Sequence, residues 1–342
     1  MAPEAGGSLA LKRRALALAQ PLNAYLELTY ACNWRCVFCY NPRHFDERGL
    51  ATSDWVRVLD DLRALGTLTV TLTGGEPLRH EGALAIARAA RERAFALKLF
   101  TNGSLVTEEV ADALAEIHAS VELSLHGARP ETHDRTTGAP GSFQAMWTGI
   151  ARLQARRVRV QLKAPLTRLN ETELDAMLAL AEAHGLTLRV DPTITPKDDG
   201  DPGPLQYAAS AAGVERLYRK LASMGPLPAS PRRPGGSNCG LGRLTIAIDP
   251  EGHVFPCLQW RRHPLGNVRD APLSEIWRSA ERSAVATLAE RVNDAILAAG
   301  GPLADFPFCP ALAAQRTGDP LRPDATHLAQ AALAHRIRSE SS

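Results

Sequence analysis

The feature that most constrains this chain is an alternation, made six times between Asn23 and Val190, of a short apolar run with a longer amphipathic stretch. The runs at 24–29, 68–73, 97–100, 121–125, 158–164 and 187–190 have the length and character of strands. The stretches between them, at 53–65, 82–93, 107–117, 142–155 and 170–184, carry the helical period. Ser53 and Thr107 suit the N-cap position, and Glu109 follows Thr107 at the helix end that favours an acid. Strands joined through helices by short links run parallel, with right-handed crossovers. The expected fold is α/β, an open or partly closed βα barrel whose strand C-termini share one rim. Residues that follow different strands then become neighbours on that rim.

The pattern breaks after Asp191. Segments 195–204 and 226–238 are rich in Pro, Gly and small polar residues and read as loops on either side of a helix at 208–224. A hairpin follows, with strands at 244–248 and 253–255, and then further helices, which together predict a small α+β unit. The expected divisions are an N-terminal extension at 1–22, the barrel at 23–205 and a helical linker at 206–235. A second domain at 236–325 and a C-terminal helix or tail at 326–342 complete the chain.

The net charge of +2 gives no electrostatic pull toward nucleic acid or an anionic membrane. The N-terminus lacks the basic start and long apolar run of a secretory signal, and no stretch approaches the roughly 18 apolar residues of a membrane span. A cytoplasmic location is expected, where thiols stay reduced and open to metals. The six cysteines form a tight group, Cys32, Cys36 and Cys39, and a scattered one, Cys239, Cys257 and Cys309. Metal ligation is a better reading of them than a disulfide framework.

The tight group lies just after the first strand, spaced C-x3-C-x2-C. Three thiolates on so short a loop suit three corners of an iron–sulfur cubane and leave the fourth iron open. On spacing alone, a zinc site made with His44 is a rival. The segment resembles the signature of the radical S-adenosylmethionine (SAM) superfamily, which has this spacing and an aromatic before the last cysteine, here Phe38. The resemblance implies a partial (β/α)6 barrel of TIM type and a [4Fe–4S] cluster on Cys32, Cys36 and Cys39. It also implies S-adenosylmethionine chelated to the open iron. Reduction by an external electron donor would cleave that cofactor to a 5′-deoxyadenosyl radical, which abstracts hydrogen from the substrate.

Further motifs end the later strands. Gly74 and Gly75 allow a close backbone approach, Glu76 offers an acceptor for an ammonium group, and Pro77 closes the turn. The family places its methionine-amino-binding motif at this point. Thr101, Asn102 and Gly103 read either as an Asn-Gly turn or, by the resemblance, as a cofactor contact through Asn102. Ser124, Leu125, His126 and Gly127 stand where relatives have Ser-x-Asp-Gly. Ser124 is then expected at the cofactor's carboxylate or ribose, while His126 replaces the acid and reads as a surface imidazole. Lys163 reads as a partner for the cofactor carboxylate or as a solvated lysine. Tyr40 reads as a backbone contact to adenine or as core packing. Asp134 and Arg135 are expected in a loop near the rim, holding substrate or solvated.

In the last third, Cys239, Gly252 and Cys257 are spaced C-x12-G-x4-C, and Cys309 follows. This resembles the auxiliary-cluster extension called SPASM, or its shorter form, twitch. A full SPASM domain holds more cysteines than these three, so one auxiliary [4Fe–4S] cluster on Cys239, Cys257 and Cys309 is expected. His253 or His263 is a candidate fourth ligand, and a cluster-free domain is the alternative. Relatives of this layout modify ribosomally made peptides. The expected substrate is a precursor peptide, presented by a separate leader-recognition protein because only about twenty residues precede the first strand. A radical dehydrogenase or rearrangement enzyme for an aminosugar or tetrapyrrole is the alternative, and a non-catalytic iron–sulfur or zinc protein a remote one.

Overall fold

The computed structural model describes residues 5–227, 229 and 232–340. The loop expected at 226–238 therefore lies partly outside the described residues, at 228, 230 and 231, as do Met1–Glu4 of the N-terminal extension. Helix α1 (Ala5–Leu18) leads into β1 (Asn23–Glu27), α2 (Thr52–Ala64), β2 (Thr69–Thr73) and α3 (Ala83–Glu92). The alternation continues through β3 (Ala96–Thr101), α4 (Glu108–Glu116), β4 (Ser120–Ser124), α5 (Pro130–Thr137) and α6 (Ser142–Ala155). It closes with β5 (Arg159–Pro165), α7 (Leu174–Ala183) and β6 (Leu188–Asp191). The six strands stand in sequence order and all pair parallel.

Strand alternation decides which residues face what. Leu26, Val70, Leu72, Leu97, Leu99, Val121, Leu123 and Leu162 are buried in one core with Trp55 and Leu59 of α2, Ile86 of α3 and Ile150 of α6. The intervening residues share the opposite face, as the in-register pairs Tyr25–Thr71, Thr71–Lys98, Phe100–Glu122 and Ser124–Lys163 require. That inner face is polar, and Lys98, Lys163, Arg189 and Asp191 stay exposed on it. A barrel wall with an apolar outside under helices and a polar inside has room for a ligand.

Thr107 caps α4 as expected, its Oγ1 accepting from Val110 N at 3.2 Å. Ser53 does not cap α2. The cap is Ala51, whose amide donates to Asp54 at 3.2 Å, so a carboxylate reaching back does the work expected of a hydroxyl. Asp134 and Arg135 also depart from expectation, for they lie in helix α5 rather than in a loop. The Asp134 carboxylate accepts from Gly141 N, Ser142 Oγ and Phe143 N at 2.6–2.9 Å and so starts α6. Asp134→Ala should lower stability by about 2 kcal/mol, the cost of a lost cap with its partners left unpaired. A urea unfolding midpoint would register it.

The second unit continues the barrel sheet. After α8 (Ala211–Met224), strand β7 (Thr245–Ile248) pairs parallel with β1, and β8 (His253–Phe255) and β9 (Gly266–Asn267) extend the sheet antiparallel. Ile246, Ile248, Val254 and Trp277 share the barrel's core. Helices α9 (Leu273–Arg278), α10 (Ala280–Ala299), α11 (Gly301–Ala304), α12 (Pro310–Thr317) and α13 (Ala325–Glu340) follow. A separate core joins Leu217 and Tyr218 of α8 to Ile296, Phe306 and Ile337. No helix among the described residues is long and apolar enough to cross a membrane.

Candidate functional site

The loop after β1 carries Cys32, Cys36 and Cys39, all free and partly buried. It is fixed by backbone bonds: Cys32 N donates to His44 O, Cys39 N to Cys36 O, and Arg35 N and Val37 N to Thr137 O and Thr136 O of α5. Burial pushes the Cys39 thiol up to about 11 and Cys36 well above its ordinary value, with the neighbouring thiolate charges adding to both rises. The protein alone therefore disfavours three thiolates here, and a bound cation reverses that balance because coordination deprotonates the thiol. Among the described residues, no three ligand atoms within 4.8 Å of one another include any of these sulfurs. Tetrahedral zinc with bonds of ~2.3 Å needs its sulfurs about 3.8 Å apart, whereas a cubane, with an iron at each corner, spreads its thiolates wider. His44 is not drawn into the group, and its Nε2 is buried without a hydrogen bond.

The Gly-Gly-Glu-Pro turn after β2 lies directly against this loop. Gly75 N donates to Thr29 O at 2.7 Å and Glu76 N to Ala31 O at 2.9 Å. A Cβ on Gly75 would collide with the carbonyl oxygens of Tyr30 and Ala31, and one on Gly74, at φ +130°, with that of Thr29. The glycines thus admit the cysteine loop itself. Glu76 is fully buried, and its carboxylate accepts from Leu78 N (3.1 Å), Thr101 Oγ1 (2.7 Å) and Asn102 N (2.8 Å). Burial raises it to about 6 against the pull of those donors. Three of a carboxylate's roughly four acceptor positions are occupied, which leaves room for one more donor. Pro77 is buried at the start of the short 3-10 turn Pro77–Arg79.

Asn102 closes the arrangement from β3. Its side chain donates to Asn33 Oδ1 of the cysteine loop (2.8 Å) and accepts from Ser104. Ser124, at the C-terminal end of β4, is half-buried and makes no side-chain hydrogen bond among the described residues. Lys163 is exposed, as a solvated lysine would be, but it is not unattached. It pairs with Glu122 at 3.1 Å and lies over the Phe100 ring, because strand register sets these three on the same inner face. His126 is not a surface imidazole but is 2% exposed, with its ring 5.0 Å from Phe38 and 5.3 Å from His133. An acid there would be a buried charge, whereas burial keeps this imidazole neutral by holding it well below its ordinary value. Tyr40 is tied down at both ends: its hydroxyl donates to Glu27 at 3.0 Å and its carbonyl accepts from Asp198 N at 2.9 Å.

The scattered cysteines also converge. Cys257 and Cys309 pack beside Leu241, Trp260 and Ala289, while Cys239 is exposed. Burial pushes Cys309 up to about 11, and the charges of Cys257 and Cys239 add to the rise, so the three sulfurs share one neighbourhood. Of the two histidines, His253 is held 3.0 Å from Asp249 at the far end of the hairpin, and His263 is exposed like Cys239. Asp249, Glu251 and His253 do draw together, but Asp249 already accepts the Tyr30 hydroxyl and Glu251 already pairs with Arg43.

Sequence reasoning missed the buried cluster of Glu27, Asp198 and Arg261. An acid midway in an apolar strand was the available signal for Glu27, while nothing in the sequence marks Arg261.

The comparisons agree with this geometry. Residues 26–181 match the model of the Radical SAM superfamily, and 239–296 match SPASM, an iron-sulfur cluster-binding domain. The chain is 31% identical to the mycofactocin maturase MftC of Mycobacterium tuberculosis, over 77% of this chain and 72% of that protein. It is 30% identical to the PqqA peptide cyclase of Ruegeria pomeroyi, over 75% and 74%. In fold it is similar to Streptococcus suis SuiB bound to precursor peptide SuiA, with a TM-score of 0.66 at 14% identity, covering 83% and 72% of the two chains. With its cysteine loop braced against the Gly-Gly-Glu-Pro turn, a parallel barrel sheet and an attached SPASM segment, the chain belongs to the radical SAM superfamily, whose cofactors are [4Fe–4S] clusters and S-adenosylmethionine.

Proposed function

We propose that this enzyme modifies a ribosomally made peptide inside the barrel, with Cys32, Cys36 and Cys39 holding the cofactor-binding cluster. The observation that carries the assignment is the bracing of the cysteine loop by Gly75, Glu76 and Asn102 at the rim of a polar inner wall. When bound, the cluster and S-adenosylmethionine supply reductive bond cleavage and hydrogen abstraction. The chain's own residues position and shield. Glu76 has an acceptor position left for the methionine ammonium, and Ser124 a free hydroxyl for its carboxylate or ribose. Tyr25, Phe100, Glu122 and Lys163 line the wall that substrate meets. The peptide class is supported by similarity to proteins named as a peptide cyclase and a maturase, and by a matching fold bound to a precursor peptide. An external one-electron donor and a separate leader-recognition protein complete the proposed system.

Anaerobic incubation with reductant, S-adenosylmethionine and a candidate precursor peptide, one containing cysteine, aromatic or asparagine residues, should change the peptide's mass. An unchanged peptide together with consumption of an aminosugar or tetrapyrrole would overturn the peptide reading.

Cys239, Cys257 and Cys309 are proposed to hold the auxiliary cluster. Cys257→Ala should then lower iron from about eight to about four per chain, the content of one lost [4Fe–4S] cluster. Full iron in that variant would remove the cluster from this site.

A further inference from the structure

Arg261 lies four residues after Cys257, on the loop that leaves β8, and its side chain is only 7% exposed. Its Nη2 donates to Glu27 Oε2 at 2.6 Å, and Glu27, on the inner face of β1, is itself 1% exposed. Its Nε is 3.8 Å from Asp198 Oδ2, and the guanidinium sits over the Phe255 ring. One cation therefore stands between two carboxylates that no other described cation pairs with. Both of those residues hold Tyr40. Glu27 accepts the Tyr40 hydroxyl, and the Asp198 amide donates to the Tyr40 carbonyl. Tyr40 is the residue directly after Cys39.

We infer that Arg261 is a positioning residue for the cofactor site, reaching from the auxiliary-cysteine loop through Glu27 and Asp198 to fix Tyr40 and the Cys39 arm of the cluster loop. The physical reason is the cost of burial. Without the guanidinium, Glu27 is a buried charge left with only a phenol, so the surroundings must rearrange to bring it water or another donor. That rearrangement moves the acceptor of the Tyr40 hydroxyl. Arg261 follows Cys257 by four residues, so the loop that carries one cysteine group also supplies the cation that secures the other.

The test uses the full chain, reconstituted without oxygen, as Arg261→Met, Arg261→Lys, Tyr40→Phe and the Arg261→Met/Tyr40→Phe pair. S-adenosylmethionine affinity is read by equilibrium dialysis, and the reduced cluster by electron paramagnetic resonance with and without the cofactor. Arg261→Met and Tyr40→Phe should each weaken binding about tenfold and alter the cofactor-induced change in the spectrum, while Arg261→Lys recovers most of the loss. The pair should be no weaker than Arg261→Met alone, because both changes break one chain of contacts. Affinities within about twofold of wild type with an unaltered spectrum, or losses that multiply in the pair, would overturn the inference. Should Arg261→Met fail to fold, Tyr40→Phe decides alone: it leaves the ion pair intact and must still weaken binding.

Discussion

Cys36→Ala should remove about four irons per chain and cut 5′-deoxyadenosine formation by at least about a thousandfold, while the auxiliary cluster stays. The residue sits mid-loop between Cys32 and Cys39, whose charges reach it. With one corner gone, the other two thiols are left without the cation that makes their ionisation favourable. The loop's own bonds to α5, from Arg35 and Val37, do not involve the side chain, so the fold should persist. Iron analysis and product mass spectrometry report the loss, and a retained melting temperature separates it from unfolding. Unchanged iron would place the cluster elsewhere.

Gly75→Ala should be nearly as damaging, although it adds one methyl group and touches no cysteine. The new Cβ would point into the carbonyl oxygens of Tyr30 and Ala31, which are backbone and cannot swing aside as a side chain would. Relief requires the turn and the cysteine loop to part, which breaks the Gly75–Thr29 and Glu76–Ala31 bonds. Overpacking of this kind costs about 1–3 kcal/mol. Here that strain falls between the two segments that frame the cofactor. S-adenosylmethionine binding should drop at least tenfold while the distant core of α8 and α13 is untouched. Equilibrium dialysis tests the first part and hydrogen exchange in α13 the second. Binding at wild-type strength would show that the close approach has no part in the site.

The barrel was legible because each strand alternates apolar and polar residues and each helix carries its own period. The cysteine loop and the turn after β2 were legible for a different reason, since unusual residue types cluster at fixed spacing. Side-chain partners were less legible. Lys163 looked unattached because Glu122 and Phe100 lie on other strands, and only the register brings them together. His126 looked superficial because its neighbours Phe38 and His133 come from two separate loops and helices. Asp134 looked like a loop residue because α5 is short and polar, with Pro130 at its start and Gly138 at its end. The close approach that Gly74 and Gly75 allow is to backbone of the cysteine loop, a partner that spacing along the chain does not show. Local pattern carries backbone and motif, but contacts across the sheet depend on register.

The most direct measurement is 5′-deoxyadenosine formed by the anaerobically reconstituted enzyme with reductant and S-adenosylmethionine, run beside a variant with Cys32, Cys36 and Cys39 all changed to alanine. Product from the wild type and none from the variant is the result this account predicts. A wild-type protein that binds its full iron yet neither binds S-adenosylmethionine nor yields any product would contradict it.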